Sequence, residues 1–516
     1  MLFTASLVIG FWLDTVVSPY AAFRSLLVGV AAAATVTLLL TMLLRSRDRA
    51  GIAASGLIGI LYSKHLVEIV SDLQRRVEPW LFALWTAMVV AALGLTGRLL
   101  LKTARSWTRS KMNYVLNRVS ILLLAATIGT GIVSGGLAHG VDDLGQGMSL
   151  DEALRLGSAS STSSNDPDVY LVLLDGYPRV DVLDHAFEID NRPFVDALEE
   201  RGFAVATESH SDYLWTQQSL TSMLHMAYIE DIPRFMDVLE RRAPYHPTLR
   251  RLVNSNPVFD LARVNGYQIV ATGAGFEQVA LRDADVYVDG GHLNEFEIKL
   301  LTSTFLGDML AVVAPDLASG AHRDRIEFEL RALGEIAAAE RTAPRLVFAH
   351  IPAPHQPTVF RRDGSPVTVP ISRHFYADSP QERGEPADEF VRRYGDQLEY
   401  LNQRIMETVD AIVANSNRPP VIVLWADHGS ASRVDWLVTA AADADPDIVL
   451  ERTGTLFAAL TPGRTGVFPN DVSPASIFRY LADRYFGTDY GRATPPFAGG
   501  HVPPVDSSAL DAASGK

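Results

Sequence analysis

Two acidic residues stand directly behind runs of aliphatic residues, at positions that can carry metal or acid–base chemistry. The run VYLVLL leads into Asp175, and VIVLWA leads into Asp427, which His428 and Gly429 follow. Ligands of open α/β sheets bind outside the carboxyl ends of the strands. A carboxylate beside an imidazole offers the oxygen and nitrogen donors that a divalent cation takes. For Asp175 alone, an Asp-Gly turn is the simpler interpretation.

A hydroxyl residue begins a helical pattern between these two strands. Leu220, Met223, Leu224 and Ala227 fall on one helical face, which places Thr216 near the first turn. The hydroxyl has two interpretations. It is either an N-cap that satisfies a free backbone N–H, or a nucleophile activated by a metal ion at a helix start that favours anions.

Two histidines and one arginine complete the candidate residues. The strand-like run RLVFAH ends at His350, and His355 follows in the proline-stiffened stretch IPAPHQP. Both suit contact with a substrate, although a hydrogen-bonded surface histidine is an equally good interpretation of either one alone. Arg179, four residues after Asp175, is a candidate clamp for an anionic group, or else an ordinary exposed arginine.

The segments that carry these residues alternate between strand-like and helix-like patterns. Short aliphatic runs bounded by turn residues are followed by amphipathic stretches, the longest of them at residues 389–416. This alternation predicts an α/β domain with a largely parallel, buried sheet. We expect that domain at residues 168–487, after a linker of small and polar residues at 141–167 and before a Gly-, Pro- and Ala-rich tail at 488–516.

The first 140 residues carry long apolar stretches instead. Most are near the ~20 residues that a helix needs to cross a bilayer; they lie at 2–17, 26–44, 51–70, 80–101 and 119–138. Basic clusters follow the second and fourth stretches and are placed in the cytoplasm by the positive-inside rule. Residues 1–140 are therefore predicted to form a multi-pass bundle of five helices, or four, in the plasma (inner) membrane. The domain that follows is expected on the extracytoplasmic side.

Charge and cysteine content exclude several classes of function. Through Gln146 the chain has 13 Lys and Arg against 7 Asp and Glu, whereas the remainder has 32 against 53. A domain this acidic is not expected to bind nucleic acid. The chain has no cysteine, so disulfides, thiolate metal sites and cysteine nucleophiles are excluded.

Four motifs occur in an order that resembles a known family. LVLLDGYPR, YLWTQQSLTSML, FAHIPAPHQP and VLWADHGS, placed after membrane helices, resemble the sulfatase-like membrane proteins of the alkaline phosphatase superfamily. Lipoteichoic acid synthases and lipid A phosphoethanolamine transferases belong to that group. The resemblance covers roughly residues 168–487 and, more loosely, the helices before them. It implies a transmembrane helix bundle followed by an alkaline-phosphatase/sulfatase-like α/β/α domain.

The resemblance also implies roles for individual residues. The metal ligands would be Asp175, Thr216, Asp427 and His428, with Thr216 also the nucleophile and His355 a second catalytic residue beside the substrate. His350 and Arg179 remain candidate substrate-binding residues. One divalent metal ion is expected as cofactor: Mn²⁺ or Zn²⁺ for mixed oxygen and nitrogen donors, or Mg²⁺ or Ca²⁺ for a site richer in oxygen.

The chain also departs from the sequence pattern of the family that it resembles. It has no C/S-x-P-x-R motif, which carries formylglycine in classical sulfatases, and residues 430–447 lack the glutamate-rich loop and further histidine of the phosphoethanolamine transferases. The leading hypothesis is an enzyme that acts through Thr216 on phosphate esters or diesters of membrane phospholipids or envelope glycans and polymers. A sulfuric ester hydrolase and a catalytically degenerate binding or scaffold protein are the alternatives, and the sequence does not indicate an oligomeric state.

Overall fold

The computed structural model describes residues 4–5, 8–9, 19–76, 109–133, 166–235, 245–372, 375–433 and 445–494. The chain forms two compact units. The first unit comprises Met1–Leu144, Asn294–Pro315 and Ile371–Arg373, and the second comprises Gly145–Leu293, Asp316–Pro370 and His374–Lys516. A segment inside the predicted domain at 168–487 therefore belongs to the first unit.

A sheet of seven strands forms the centre of the second unit in the described residues. The strands are β1 (Val169–Leu174), β2 (Ala204–Val205), β3 (Gln268–Thr272), β4 (Val286–Val288), β5 (Arg345–Ile351), β6 (Val421–Trp425) and β7 (Phe457–Leu460). Their order is β2-β7-β6-β1-β5-β3-β4. β7 is antiparallel to β6 and β2, and the other pairs are parallel. The predicted α/β class with a largely parallel sheet is confirmed.

Helices lie before, between and after the strands. In chain order they are α1 (Pro19–Leu44), α2 (Arg47–Arg76), α3 (Arg109–Val133), α4 (Val180–Phe187), α5 (Arg192–Glu200), α6 (Thr216–His225), α7 (Tyr245–Asn254), α8 (Pro257–Val264), α9 (Glu295–Thr302), α10 (Phe305–Val313), α11 (Leu317–Ala338), α12 (Pro380–Arg383), α13 (Ala387–Asn415), α14 (Pro446–Thr453) and α15 (Pro474–Tyr485). α1, α2, α3, α9 and α10 belong to the first unit, and the others to the second.

The three central strands are buried along their whole length. Every residue of β1, β5 and β6 is buried, because mostly apolar side chains occupy both faces, as expected of a parallel sheet covered on both sides. The core on one face joins Phe348 and Trp425 of the sheet to Met223 of α6 and Phe478 of α15. Each such side chain contributes roughly 1.5–3 kcal/mol by its burial, so α6 is held firmly against the strands.

One helix in the described part of the chain is long and apolar enough to cross a membrane. It is Ala22–Leu44 within α1, with a mean hydropathy of 2.3 and 6% of the stretch buried. The predicted spans at 51–70 and 119–138 fall on α2 and α3, whereas those at 2–17 and 80–101 lie almost wholly outside the described residues. Most of the predicted linker and the tail from residue 495 also lie outside them. The multi-pass bundle stays a prediction.

Candidate functional site

The carboxyl ends of β1 and β6 meet at one edge of the sheet and bring Asp175 and Asp427 together. The two strands are parallel neighbours, with Leu173 opposite Trp425. The backbone N–H of Gly176 donates to Oδ1 of Asp427 at 3.2 Å. Gly176 has a φ of +70°, which a glycine adopts without strain. The Asp-Gly pair after β1 is thus both a turn and one wall of the site.

Asp175 is buried but remains ionised. Its Oδ2 lies 3.0 Å from Nε2 of His350, which comes from β5 on the other side of β1. Burial alone raises the pKa of Asp175, but the positive charge of His355 and the hydrogen bond from His350 outweigh it and hold the pKa well below the usual range. The structure thus places His350, the predicted substrate-binding residue, behind Asp175, where it orients the carboxylate.

His428 presents an unprotonated nitrogen to the site. Its Nδ1 lies 2.9 Å from the carbonyl oxygen of Gly429, so Nδ1 carries the proton and Nε2 carries a lone pair. Burial and the neighbouring charge of Arg452 lower the pKa of His428, despite the opposing effect of Asp427 and Asp175. The imidazole is therefore neutral, which is the form that binds metal ions.

Three oxygen atoms lie close to Nε2 of His428, and these four possible metal ligands are called the donor atoms below. His428 Nε2 lies 3.3 Å from Asp427 Oδ2, 3.5 Å from Asp175 Oδ1 and 3.3 Å from Thr216 Oγ1. Among the described residues, neither of these two buried carboxylate oxygens has a hydrogen-bond partner. Leaving buried acceptors unpaired is costly. Their convergence is what a cation between them would explain.

Gly429 is required by close packing rather than by an unusual backbone angle. A Cβ at this position would lie 2.0 Å from the carbonyl oxygen of Glu451. The N–H of Gly429 donates to the carbonyl of Arg452 at 2.6 Å. The glycine of the Asp-His-Gly motif therefore lets the end of α14 approach the end of β6, and so positions Arg452.

Thr216 is the first residue of α6 and does not cap it. The N-cap position is Trp215, whose backbone is extended and whose side chain makes no capping hydrogen bond. One turn later, Ser219 donates to the carbonyl oxygen of Asp427 at 2.7 Å, and Ser211 donates to the same oxygen. The N-cap interpretation of Thr216 is therefore wrong, and the serine of the T-x-x-S pattern fastens α6 to the end of β6.

A charged chain of three residues flanks the donor atoms. His355 Nε2 lies 2.8 Å from Asp378 Oδ1, and Asp378 Oδ2 lies 2.8 Å from Arg452 Nη2. The other imidazole nitrogen of His355 faces the carbonyl of Gln356 at 2.7 Å. Burial would lower the pKa of His355, but the carboxylates of Asp175 and Asp378 raise it to about 10. His355 is therefore an imidazolium whose two N–H groups are both occupied.

Asp378 and Arg452 were not identified from the sequence. Asp378 lies between β5 and α12, and Arg452 lies in the last turn of α14. Neither follows a strand, and no local pattern separates Arg452 from the other arginines. Its burial, at 1% exposure, depends on tertiary packing alone.

Arg179, predicted to clamp an anionic substrate, is held by other residues. Its Nε and Nη2 donate to the carboxylate of Asp181 at 2.6 and 2.8 Å, and Nη1 donates to the carbonyl of Ser209 at 2.5 Å. Arg452 reaches this edge of the sheet instead, where its Nη1 donates to the carbonyl oxygen of Gly429 at 3.0 Å.

The donor set fits a divalent ion. Asp175, His355 and His428 each offer one ligand atom within 4.8 Å of the others. Both nitrogens of His355 already face acceptors. Asp427 Oδ2 has no hydrogen-bond partner and lies 3.3 Å from His428 Nε2, so Asp427 is a candidate for the third ligand in place of His355. Two carboxylate oxygens, one imidazole nitrogen and a nearby hydroxyl make a mixed donor set of the kind that Zn²⁺ and Mn²⁺ accept.

Comparison with known proteins finds similar solved structures. No family model and no curated protein matches the chain. The C-terminal periplasmic domain of EptC from Escherichia coli, in complex with Zn, has 14% identity over 66% of this chain and 89% of its own, with a TM-score of 0.40. The integral membrane lipooligosaccharide phosphoethanolamine transferase A from Neisseria meningitidis has 12% identity over 78% and 70%, with a TM-score of 0.38.

A third similar structure is the phosphonate monoester hydrolase of Agrobacterium radiobacter, with 14% identity over 66% of this chain and 78% of its own and a TM-score of 0.40. Likeness at this level does not specify a reaction or a substrate, and these have to be inferred from the site itself.

Proposed function

We propose that the chain is a membrane-anchored, metal-dependent enzyme that transfers or hydrolyses phosphate esters or diesters through Thr216. The convergence of Asp175 Oδ1, Asp427 Oδ2 and His428 Nε2 beside the Thr216 hydroxyl carries this proposal. Buried carboxylate oxygens without a hydrogen-bond partner also occur at Glu329, but these two lie within 3.5 Å of one imidazole nitrogen, which favours a bound cation over a purely structural role. A cation held by them would also lie next to a candidate nucleophile.

Asp175, Asp427 and His428 would hold the ion, with the Thr216 hydroxyl beside it. When bound, the ion would lower the pKa of the hydroxyl and offset negative charge on the reacting phosphate. Mn²⁺ and Zn²⁺ suit the donors better than Mg²⁺ or Ca²⁺.

Thr216 acts as a nucleophile in this scheme. Its Oγ1 forms a bond to phosphorus while the bond from phosphorus to the leaving oxygen breaks. The hydroxyl proton passes to solvent, and the leaving oxygen takes up a proton. Water or an acceptor hydroxyl then attacks phosphorus and loses its proton to solvent, while the bond from phosphorus to Thr216 Oγ1 breaks and Oγ1 takes up a proton, giving hydrolysis or transfer respectively.

Two features of the chain favour an anionic group at this position. The imidazolium of His355 lies with its ring centroid 5.8 Å from that of His428 and supplies positive charge. The first turn of α6 has no side-chain cap, so its backbone N–H groups and helix dipole favour an anion beside Thr216. Both stabilise the negative charge that develops on the phosphoryl oxygens.

The apolar helix Ala22–Leu44 supports membrane anchoring. We extend the proposal to a multi-pass bundle in the plasma membrane with the second unit on the extracytoplasmic side, because the basic residues Arg45, Arg47 and Arg49 directly follow that helix. The substrates of an enzyme so placed would be phospholipids or phosphorylated polymers of the envelope.

The test compares Thr216→Ala with Thr221→Ala in the full chain purified in detergent. Thr221 lies in the same helix, and its hydroxyl bonds to the carbonyl of Gln217 at 2.6 Å, so it controls for loss of a helix hydroxyl. Turnover of an aryl phosphate monoester, a diaryl phosphate diester and an aryl sulfate is measured with added Mn²⁺ or Zn²⁺. We expect Thr216→Ala alone to abolish turnover of a phosphate substrate while the variant still binds metal.

Turnover confined to the aryl sulfate would replace the proposal by a sulfuric ester hydrolase. Equal turnover by Thr216→Ala and the wild type would remove Thr216 from the reaction. A wild type that neither binds metal nor turns over any of the three substrates would leave the degenerate binding or scaffold role.

A further inference from the structure

Two short helices, α9 and α10, belong to the first unit but lie in sequence between two parts of the second unit. The segment Asn294–Pro315 follows β4 and precedes α11, yet it belongs to the compact unit that contains α1 and α2. α9 begins with a capping box between Asn294 and Glu297. Gly307 permits the close turn into α10, because a Cβ there would lie 2.5 Å from the carbonyl oxygen of Leu301. The segment is therefore a well-formed pair of short helices.

Two ion pairs connect α9 and α10 to the amino-terminal helices α1 and α2. Arg24 of α1 forms a bidentate pair with Glu297 of α9, with Nε at 2.6 Å from Oε1. Lys64 of α2 lies 2.6 Å from Asp308 of α10. Each of α9 and α10 is thus paired with a different helix of the α1–α2 pair.

Apolar packing accompanies the ion pair at α9. Phe296 and Leu300 are buried in one cluster with Val8 and Ala22, and Leu26 packs against it. Ala22 is the first residue of the apolar stretch Ala22–Leu44. α9 therefore packs at the beginning of that stretch.

The two ion pairs lie at a similar distance along α1 and α2 from the turn that joins these helices. Arg24 and Lys64 are each about 20 residues from the turn at Arg45 and Ser46, which at ~1.5 Å per residue is about 30 Å. This is about the thickness of the hydrocarbon core of a bilayer. If α1 crosses the membrane, α9 and α10 lie at the interface opposite the basic turn.

α10 exposes an almost wholly apolar surface at that level. Phe305, Met309, Val312 and Val313 are 42%, 58%, 80% and 74% exposed, and their spacing of i, i+4, i+7 and i+8 puts them on one helical face. The only charged residue of α10 is Asp308, which is paired with Lys64. A contiguous exposed apolar face of this kind indicates a partner.

We propose that α10 is an interfacial helix whose apolar face inserts into the extracytoplasmic leaflet of the bilayer. The apolar face continues the lipid-exposed surface of α1, where Phe23 and Leu27 are 58% and 55% exposed at the same level. The inference rests on α1 crossing the membrane, as in the proposed function, but not on the chemistry of the site. The chain leaves the second unit after Leu293 and returns at Asp316, so the segment that carries α10 is connected to the second unit at both of its ends.

The absence of cysteine from the chain allows a direct test. A nitroxide is attached to Val312→Cys in the full chain, reconstituted in vesicles of phosphatidylethanolamine and phosphatidylglycerol. Its accessibility to molecular oxygen and to a water-soluble nickel chelate gives a depth parameter that is positive in lipid and negative in water. The matched control is Val264→Cys, because Val264 is also a helical valine and is 85% exposed in the second unit. Met42→Cys, which is 65% exposed near the end of the apolar stretch Ala22–Leu44, serves as the reference for a lipid-facing position of α1.

We expect a positive depth parameter at residues 312 and 42 and a negative one at 264. A negative value at 312 with a positive value at 42 would overturn the inference while leaving α1 as a membrane anchor. Dipolar coupling between labels on two chains, with a negative depth at 312, would show that a second copy covers α10 instead. A negative value at 42 would remove the anchor and with it the inference, whereas the Thr216 assays would still decide the chemistry.

Discussion

The cluster around Asp175 and Asp427 and the cluster around Glu329 and His322 are both buried in the second unit, but they hold opposite charge states. In the first, the pKa of Asp175 is lowered because the charge of His355 and the hydrogen bond of His350 outweigh burial. The pKa of Asp378 is lowered in the same way by His355 and Arg452. These carboxylates stay ionised in the interior.

In the second cluster, Glu329 and His322 are both neutral at physiological pH, beside the charge of Arg325. Burial raises the pKa of Glu329 on α11 to about 8, against the smaller opposing effects of the Thr272 hydroxyl and the charge of Arg325. Burial and the charge of Arg325 lower the pKa of His322 to about 3. A buried carboxyl with one nearby guanidinium therefore keeps its proton, whereas one with an imidazolium and a hydrogen-bonding imidazole does not. The comparison separates a site built to hold charge from a polar cluster of the core.

Asp427→Asn is the sharpest way to break the first cluster. The substitution replaces the carboxylate that carries one of the two unpaired oxygens by a neutral amide, so we expect loss of the bound ion and a fall in turnover of more than about a thousandfold. The loss also removes the stabilisation by mass action, which is about 2.7 kcal/mol at a metal concentration of a hundred times Kd. Metal content and the metal-dependent shift in Tm of the full chain measure both effects.

Glu329→Gln is the control for this change, since it neutralises a carboxyl that is equally buried, at 0% exposure, but already protonated. It should keep the metal and the turnover. Equal metal content in wild type and Asp427→Asn would contradict the assignment of Asp427 as a ligand.

Asp378→Asn tests the charged chain beside the donor atoms. It leaves Asp175, Asp427 and His428 intact but weakens the hold on His355 and Arg452, so we expect turnover to fall by about tenfold to a hundredfold. The fall should be in kcat rather than in metal content. Loss of the ion from Asp378→Asn would instead assign this aspartate to metal binding.

The second cluster predicts the smallest effect, a dependence of stability on pH. Folded Glu329 keeps its proton up to about pH 8, whereas the unfolded residue releases it near pH 4.5. Its contribution to stability is therefore fully present below pH 4.5 and is lost as the pH rises through 8, by up to roughly 1.4 kcal/mol per pH unit.

Glu329→Gln should flatten that part of the profile of Tm against pH, measured on the full chain in detergent. An unchanged slope would mean that Glu329 is already ionised when folded, and the contrast between the clusters would disappear.

The convergence of Asp175, Asp427 and His428 could be predicted because it follows from local patterns and one rule. Aliphatic runs of strand length identify the strands, and residues after parallel neighbours meet at one edge. The antiparallel direction of β7 could not be predicted, since a short run buried on both faces has no pattern that specifies direction.

Residues placed by tertiary packing were out of reach. Arg452 comes from the end of a helix and enters the site because Gly429 lets that helix approach. For Arg179 the sequence does contain a local signal, because its partner Asp181 is only two residues along the chain. The exposed face of α10 is visible only when α9 and α10 are seen to pack with α1 and α2.

The hydroxyls of Ser211 and Ser219 both donate to the backbone carbonyl of Asp427, and this couples two parts of the site mechanically. Thr216, one turn before Ser219, and the carboxylate of Asp427 are attached to the same fastened stretch of main chain. When α6 moves, the end of β6 moves with it. The distance between the Thr216 hydroxyl and the Asp427 carboxylate therefore changes less than the position of either group. A substitution such as Thr216→Ser should therefore leave the hydroxyl aligned with Asp427, because the backbone sets that alignment.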